Sequence, residues 1–295
     1  SGREALTEAR FESLIDFTRD LELNLRFETR ELVQDALFIT DFPLMRAITA
    51  SCRPSTVKDG IIQRGTNSID IAEVSSEEWI ERQGTLLDGL LEANPAYLVA
   101  TTVHFETPNM TELVRTERLA AGLRPRRVPK QQLFSGAHPN KDAEFFALRR
   151  GEVILTTGDQ LDENVPTKNR SALTLIAVCP VFDETGEFFG INALEHDLRG
   201  RLEELFLAIN HDGMEVFITN STGQIALIHR EGESVIQSGK QSIVSEFPQL
   251  KNLFTDLEAG TEFGDQKSLY AIRVPLGDSR SQAYFGIVTR LISTD

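Results

Sequence analysis

The feature that most constrains this 295-residue sequence is a device it uses twice. Leu173-Thr174-Leu175-Ile176-Ala177-Val178-Cys179-Pro180-Val181 leads through Asp183-Glu184-Thr185-Gly186 into Phe188-Phe189-Gly190-Ile191. Ser268-Leu269-Tyr270-Ala271-Ile272-Arg273-Val274-Pro275-Leu276 leads through Gly277-Asp278-Ser279 into Tyr284-Phe285-Gly286-Ile287. Each copy reads as a strand, a proline, a polar turn and then an aromatic-Phe-Gly-Ile that opens a second strand. Asp- and Gly-containing connectors are hairpin chemistry, because these residues tolerate the tight backbone of a turn. Repetition about a hundred residues apart implies two domains of one fold, each finishing its sheet with the same hairpin; chance similarity is the alternative. A third hairpin, Val216–Thr219 to Gln224–His229 through Asn220-Ser221-Thr222-Gly223, opens the second domain's sheet. Between the repeats, Arg199–Ala208 is amphipathic through Leu202, Leu205 and Phe206, and reads as a helix linking the domains.

From Arg3 to Phe42 there is neither proline nor glycine, and Phe11, Leu14, Leu21, Leu25 and Leu32 recur at helical steps. Such a helix runs on the order of 60 Å and ends or kinks at Pro43. Two readings stand: a helix packed along its own domain, or a stalk whose Phe11, Leu14, Leu21 and Leu25 form a homodimer seam. Thr18, Glu28 and Asp35 interrupt a clean heptad. Ser75–Ala93 reads as a second helix, capped by Ser75 or Ser76 with Glu77 and Glu78 in its first turn, and Tyr97–Phe105 as a strand. The fold class is therefore α+β: a long N-terminal helix (1–43) followed by two tandem modules (44–200 and 201–295), each an antiparallel sheet flanked by helices.

The formal net charge of -15 argues against a nucleic-acid partner. The one basic cluster, Arg124, Arg126, Arg127 and Lys130, is interrupted by Pro125 and Pro129 and reads as a solvated loop. No apolar run approaches the roughly 20 residues a bilayer-spanning helix needs. Ser1-Gly2 reads as a cloning scar after a removed segment. Cys52 and Cys179 lack metal-ligand spacing and read as two isolated thiols.

None of the five histidines, His104, His138, His196, His211 and His229, has the paired spacing of a zinc protease. Glu195-His196-Asp197 puts neighbouring side chains on opposite faces of a strand, so it reads as a structural polar edge. Gly-x-Ser-x-Gly, Gly-x-Gly-x-x-Gly and a phosphate-binding loop are missing. Asp159, Asp162, Glu163 and Asn164 lack the order of an EF-hand and read as an acidic surface loop. The expectation is a binding protein with no cofactor and no metal, and not an enzyme.

Thr111-Glu112-Leu113-Val114-Arg115, Gly151–Leu155, Pro180–Asn192, Ile218–His229 and Ser245–Leu250 together are similar to the double Cache family. These are tandem PAS-like sensor domains of histidine kinases, chemoreceptors and diguanylate cyclases, and the resemblance covers nearly the whole chain by order and spacing. It implies a sensor held outside the cytoplasmic membrane (periplasmic) between two transmembrane helices, most naturally in a histidine kinase. The start within a helix and the end at Arg290–Ser293 fit such flanks. It also implies a small-molecule pocket in the membrane-distal module, which the matching order lines with Arg115, Phe145, Phe146, Glu152, Thr156 and Asp159. An arginine with a nearby carboxylate grips a zwitterion or an acid; a salt bridge on a solvated sheet edge is the alternative. Two departures weaken amino-acid recognition. The family's arginine before the Pro-Val-Phe-Asp turn is Ile176 here, and the tyrosine, arginine and tryptophan arrangement is missing, Trp79 lying in an early helix. The rival readings are a soluble solute-binding protein, against which the strand-rich second half stands, and a hydrolase with an uncommon carboxylate site.

Overall fold

The computed structural model describes residues 2–52, 74–106, 109–120, 122–137, 144–161, 169–208, 213–237, 241–256, 260–277 and 284–292. Helix α1 (Gly2–Asp41) is 40 residues long. It stops because Pro43 has no N–H to continue the ladder, and the same proline opens α2 (Pro43–Cys52), where a missing N–H costs nothing. Helix α3 (Ser76–Ala93) is capped by the Ser75 side chain, which accepts from the Glu78 amide at 3.2 Å, and Glu77 and Glu78 complement the positive end of its dipole.

The first sheet comprises β1 (Tyr97–Glu106), β2 (Asn109–Glu117), β3 (Arg126–Arg127), β4 (Ser135–Ala137), β5 (Ile154–Thr157), β6 (Thr174–Phe182) and β7 (Phe188–Asp197). Its order is β3-β2-β1-β7-β6-β5, with β4 also on β2. Helix α4 (Arg199–Ala208) then leads into β8 (Met214–Thr219), β9 (Ile225–Arg230) and β10 (Glu233–Ile236). The short helices α5 (Ile243–Glu246) and α6 (Lys251–Thr255) precede β11 (Glu262–Gly264), β12 (Leu269–Pro275) and β13 (Tyr284–Leu291). The second sheet runs β10-β9-β8-β13-β12-β11 and is antiparallel throughout. The two sheets share one topology, and the repeated hairpin occupies the same place in each, as β6–β7 and β12–β13. A register shift at Val181/Phe182 leaves Phe189 without a cross-strand partner. Ile191 consequently faces away from α1, whereas Ile287 packs beneath it.

Helix α1 lies across both sheets. Toward its N-terminus, Thr18 Oγ1 is 2.7 Å from Thr289 Oγ1 of β13. Toward its C-terminus, the Tyr97 hydroxyl of β1 donates to Asp35 at 2.5 Å and Asn192 Nδ2 of β7 donates to Thr40 Oγ1 at 3.1 Å. Leu14, Leu21, Leu25 and Leu32 are buried in one core with Leu175, Ala177 and Leu194 of the first sheet and Val216, Ile272 and Ile287 of the second, and half-buried Phe11 packs against it. This corrects the expected dimer seam: Phe11, Leu14, Leu21 and Leu25 are occupied by the chain's own sheets. The outward side of α1 carries Leu23, Phe27 and Phe38 exposed instead.

The basic cluster is solvent-exposed at Arg124, Arg126 and Lys130, as its reading as a solvated loop expects, and three of its members also make ion pairs. Arg126 pairs with Glu117 at 2.7 Å, Arg127 with Asp88 at 2.5 Å and Glu81 at 3.3 Å, and Lys130 with Glu77 at 2.8 Å. A Cβ at Gly84 would sit 1.8 Å from the Arg127 guanidinium, so this glycine lets the arginine lie across α3.

Candidate functional site

The helices α1 and α3 cover one face of the first sheet, and the other face builds the candidate site. Cross-strand register sets its rows. Val99 of β1 is flanked by Glu117 and Glu195, and Thr101 by Arg115 and Ala193. Beyond them Ile176 faces Glu195 and Thr156 faces Ile176. Strand β2 has one residue too many between Val114, opposite Thr102, and Glu112, opposite Val103. Leu113 is the extra residue, and the bulge brings Glu112 to the side that Arg115 faces. The carboxylates of Glu112, Glu117 and Glu195 are 2%, 1% and 2% exposed, and Arg115 is 7% exposed.

Burial of so much charge demands partners. Glu112 accepts from the Thr101 hydroxyl at 2.7 Å, the Phe134 amide at 2.9 Å and Arg115 Nη1 at 3.4 Å. Glu117 accepts from Arg126, and Glu195 from Asn169 Nδ2 at 3.4 Å. Arg115 Nε is buried with no hydrogen-bond partner among the described residues. Beside this polar half lies an apolar one, in which Phe105, Phe145, Phe146 and Phe188 cluster with Val103, Met110 and Ile191.

The structure therefore brings Arg115, Phe145, Phe146 and Thr156 to one face. Glu152 and Asp159 are directed elsewhere. The Glu152 carboxylate accepts from the Arg149 amide at 2.8 Å and closes its own turn. Asp159 accepts from Asn220 Nδ2 at 2.7 Å, across to the second sheet. Thr101, Glu112, Glu117 and Glu195 were missed. Strand alternation could have found Glu117 and Glu195, but the bulge hides the pairing of Glu112 with Arg115. Glu195, His196 and Asp197 separate as their alternation requires. His196 faces α1, Asp197 binds Arg199 at 2.6 Å, and no three His, Cys, Asp or Glu gather as metal ligands among the described residues. Asp162, Glu163 and Asn164, like His138 and His211, lie outside the described residues.

No protein-family model matches the sequence, and no curated protein does. Solved structures match it end to end. The extracellular domain of a protein assigned as a histidine kinase aligns with TM-score 0.61 at 9% identity, covering 99% of this chain and 97% of that one. Methyl-accepting chemotaxis protein X aligns with TM-score 0.57 at 11% identity, covering 99% of both chains. A domain of a sensory box/GGDEF family protein from Vibrio parahaemolyticus aligns with TM-score 0.54 at 11% identity, covering 95% and 97%. The chain has the fold of a receptor sensor domain. At these identities the likeness is one of fold, and it takes in α1 and both sheets together. None of the described helices is long and apolar enough to cross a membrane.

Within this sensor fold the two sheets differ in what covers their outer faces. On the second sheet Phe247, Leu250, Leu253 and Phe254 pack onto Phe217, Ala271 and Val288. A Cβ on Gly286 would lie 2.5 Å from the Phe254 ring, so that face is filled by its own side chains.

A second polar group joins α1 to the inter-sheet helix. Glu28 Oε1 is 3.1 Å from Arg201 Nε, Arg201 Nη2 donates to Asn24 at 2.9 Å, and His196 Nε2 is 3.3 Å from Glu28 Oε2 without hydrogen-bond geometry. Burial raises the Glu28 carboxyl above its ordinary range, opposed by Arg201. Burial also drives His196 down to about 4, so its ring is neutral at pH 7.

Proposed function

We propose that this chain is the extracytoplasmic sensor region of a membrane receptor, most naturally a histidine kinase, with modules at 44–200 and 201–295 behind the helix at 1–43. It binds a small molecule on the outer face of the first sheet. The observation that supports this reading is the buried charged group of Glu112, Arg115, Glu117 and Glu195 beside an aromatic cluster. The equivalent face of the second sheet is closed by Phe247 and Phe254. An arginine among carboxylates suits a ligand bearing both an anionic and a cationic group, with Arg115 taking the first and Glu195 the second. The chain acts as a binder and not a catalyst.

Occupancy is relayed through α1, which touches both sheets. A ligand contributes to this only its differential affinity for two arrangements of the helix. A homodimer contact through α1 falls on the outward stripe of Leu23, Phe27 and Phe38, since the inner stripe is core.

A thermal-shift screen against amino acids, carboxylic acids, polyamines, sugars and nucleosides tests the binding step. A ligand at a hundred times its Kd adds about 2.7 kcal/mol. The expected hit disappears in Arg115→Ala and Glu195→Gln and survives Glu152→Ala. Silence across the panel overturns small-molecule sensing and favours a protein partner.

A further inference from the structure

Two hairpin turns of this chain are built to one plan. Between β6 and β7, Asp183 Oδ1 accepts from the Thr185 amide at 2.8 Å, the Thr185 hydroxyl at 2.7 Å and the Glu187 amide at 3.0 Å. Between β8 and β9, Asn220 Oδ1 accepts from the Thr222 amide at 3.1 Å, the Thr222 hydroxyl at 2.8 Å and the Gln224 amide at 2.9 Å. Each turn closes on a glycine at positive φ, Gly186 at 83° and Gly223 at 77°. The turn requires only a side-chain oxygen at its head, and Asp183 shows that a carboxylate serves.

Asn220 brings an amide as well, and that amide is used both inside the turn, on Gln224 Oε1 at 3.3 Å, and across the molecule. Its Nδ2 donates to Asp159 Oδ2 at 2.7 Å, two residues past the end of β5. The neighbouring Gln160 donates to Ser221 Oγ. Next to this pair, Leu155 of β5 touches the position of Gly277 beyond β12, and Leu155 and Leu276 share one core. An aspartate at 220 would keep the turn but set a second negative charge against Asp159.

We infer that Asp159 and Asn220 fasten the edge strand of the first sheet to the opening hairpin of the second, a connection separate from α1 and α4. The amide at position 220 has a longer bond inside the turn, to Gln224 Oε1 at 3.3 Å, and its shorter, charge-assisted bond is the one that makes this fastening. The fastening also borders the candidate site. Gly158 packs so closely on the next segment that a Cβ would lie 2.0 Å from the Asn169 carbonyl, and the Asn169 side chain donates to Glu195. Transmission of ligand occupancy by this route rests on the proposed binding function. The fastening itself does not.

Amide hydrogen exchange on the unliganded protein tests it. Asn220→Asp is expected to speed exchange roughly tenfold in both 155–160 and 220–224, as loss of a charge-assisted hydrogen bond to local opening requires. The double exchange Asp159→Asn with Asn220→Asp puts the donor on the other side and is expected to restore wild-type protection. Asp159→Ala leaves the turn intact and is expected to loosen 220–224, which covers a failure of Asn220→Asp to fold. Acceleration confined to 220–224 in Asn220→Asp, unchanged protection of 220–224 in Asp159→Ala, or no rescue by the double exchange would each overturn the inference. Loss of ligand binding with exchange unaltered bears on the site alone.

Discussion

Glu112 and Arg115 stand three residues apart in β2 yet meet on one face of the first sheet, 3.4 Å apart, because Leu113 is bulged between them. In a regular strand that spacing sends two side chains to opposite faces. The bulge thus turns a sequence of mixed polarity into a buried acid–base pair, and the Thr101 hydroxyl and Phe134 amide complete the shell of Glu112.

Removing that carboxylate leaves donors stranded. Glu112→Ala is expected to cost about 3 kcal/mol, because the buried Arg115 guanidinium and the half-buried Phe134 amide lose their acceptor, while the Thr101 hydroxyl keeps the Val114 carbonyl at 3.0 Å. Glu112→Gln retains an acceptor oxygen and is expected to cost roughly half as much. Urea denaturation checks both, and a loss under about 1 kcal/mol for Glu112→Ala would mean that water reaches this face in solution.

The two thiols are both free but differ in burial. Burial pushes Cys179 up to about 12 and raises Cys52 as well. The thiolate is the reactive form. Alkylation at pH 8 followed by mass spectrometry is expected to label half-buried Cys52 slowly and Cys179 only after unfolding. Equal rates in the native protein would contradict the burial of Cys179.

Much of the fold was legible because it rests on local chemistry. Ser75 caps α3, Pro43 breaks the helices, and the repeated hairpin marks the same place in each sheet. What the sequence left open depends on distant partners. The stripe Leu14–Leu21–Leu25 has the same spacing whether it meets its own sheets or a second helix. Arg115 reads as a pocket residue and Glu195 as part of a structural polar edge, and only register places the two on one face. Asp159 looks like a pocket acid, and its partner Asn220 lies 61 residues away.

The reassignment of the α1 stripe has a direct consequence. Leu21→Asp places a charge in the shared core and is expected to cost more than about 4 kcal/mol, enough to unfold the chain. Phe27→Asp, at a position 57% exposed, is expected to stay within about 0.5 kcal/mol of wild type. If the chain self-associates through α1 as proposed, charges at Phe27 and Phe38 are expected to weaken that contact while folding is retained. Sedimentation and urea denaturation read the two effects separately. Unfolding by Phe27→Asp would reverse the assignment of inner and outer faces.

His196 gives the chain a titration that its surface groups do not. The ring is 2% exposed, edge-on to Tyr97 at 5.5 Å, with Glu28 of α1 opposite and Asp197 adjacent in the chain. Burial lowers it from 6.5 to about 4, with Asp197 opposing. A histidine depressed in the folded state is protonated first in the unfolded chain. Its contribution is therefore intact above about 6.5 and is lost as pH falls toward about 4, to a ceiling of roughly 3 kcal/mol. Glu28 works the other way, because its raised carboxyl takes up a proton more readily in the folded state and offsets part of that loss. The urea midpoint is expected to fall between pH 6.5 and pH 4.5 less steeply in His196→Phe than in wild type. Equal slopes would show that the ring is hydrated in the folded chain, because Glu28 is present in both proteins and drops out of the comparison. Glu28→Gln alone removes the opposing carboxyl and is expected to fall more steeply than wild type over the same range.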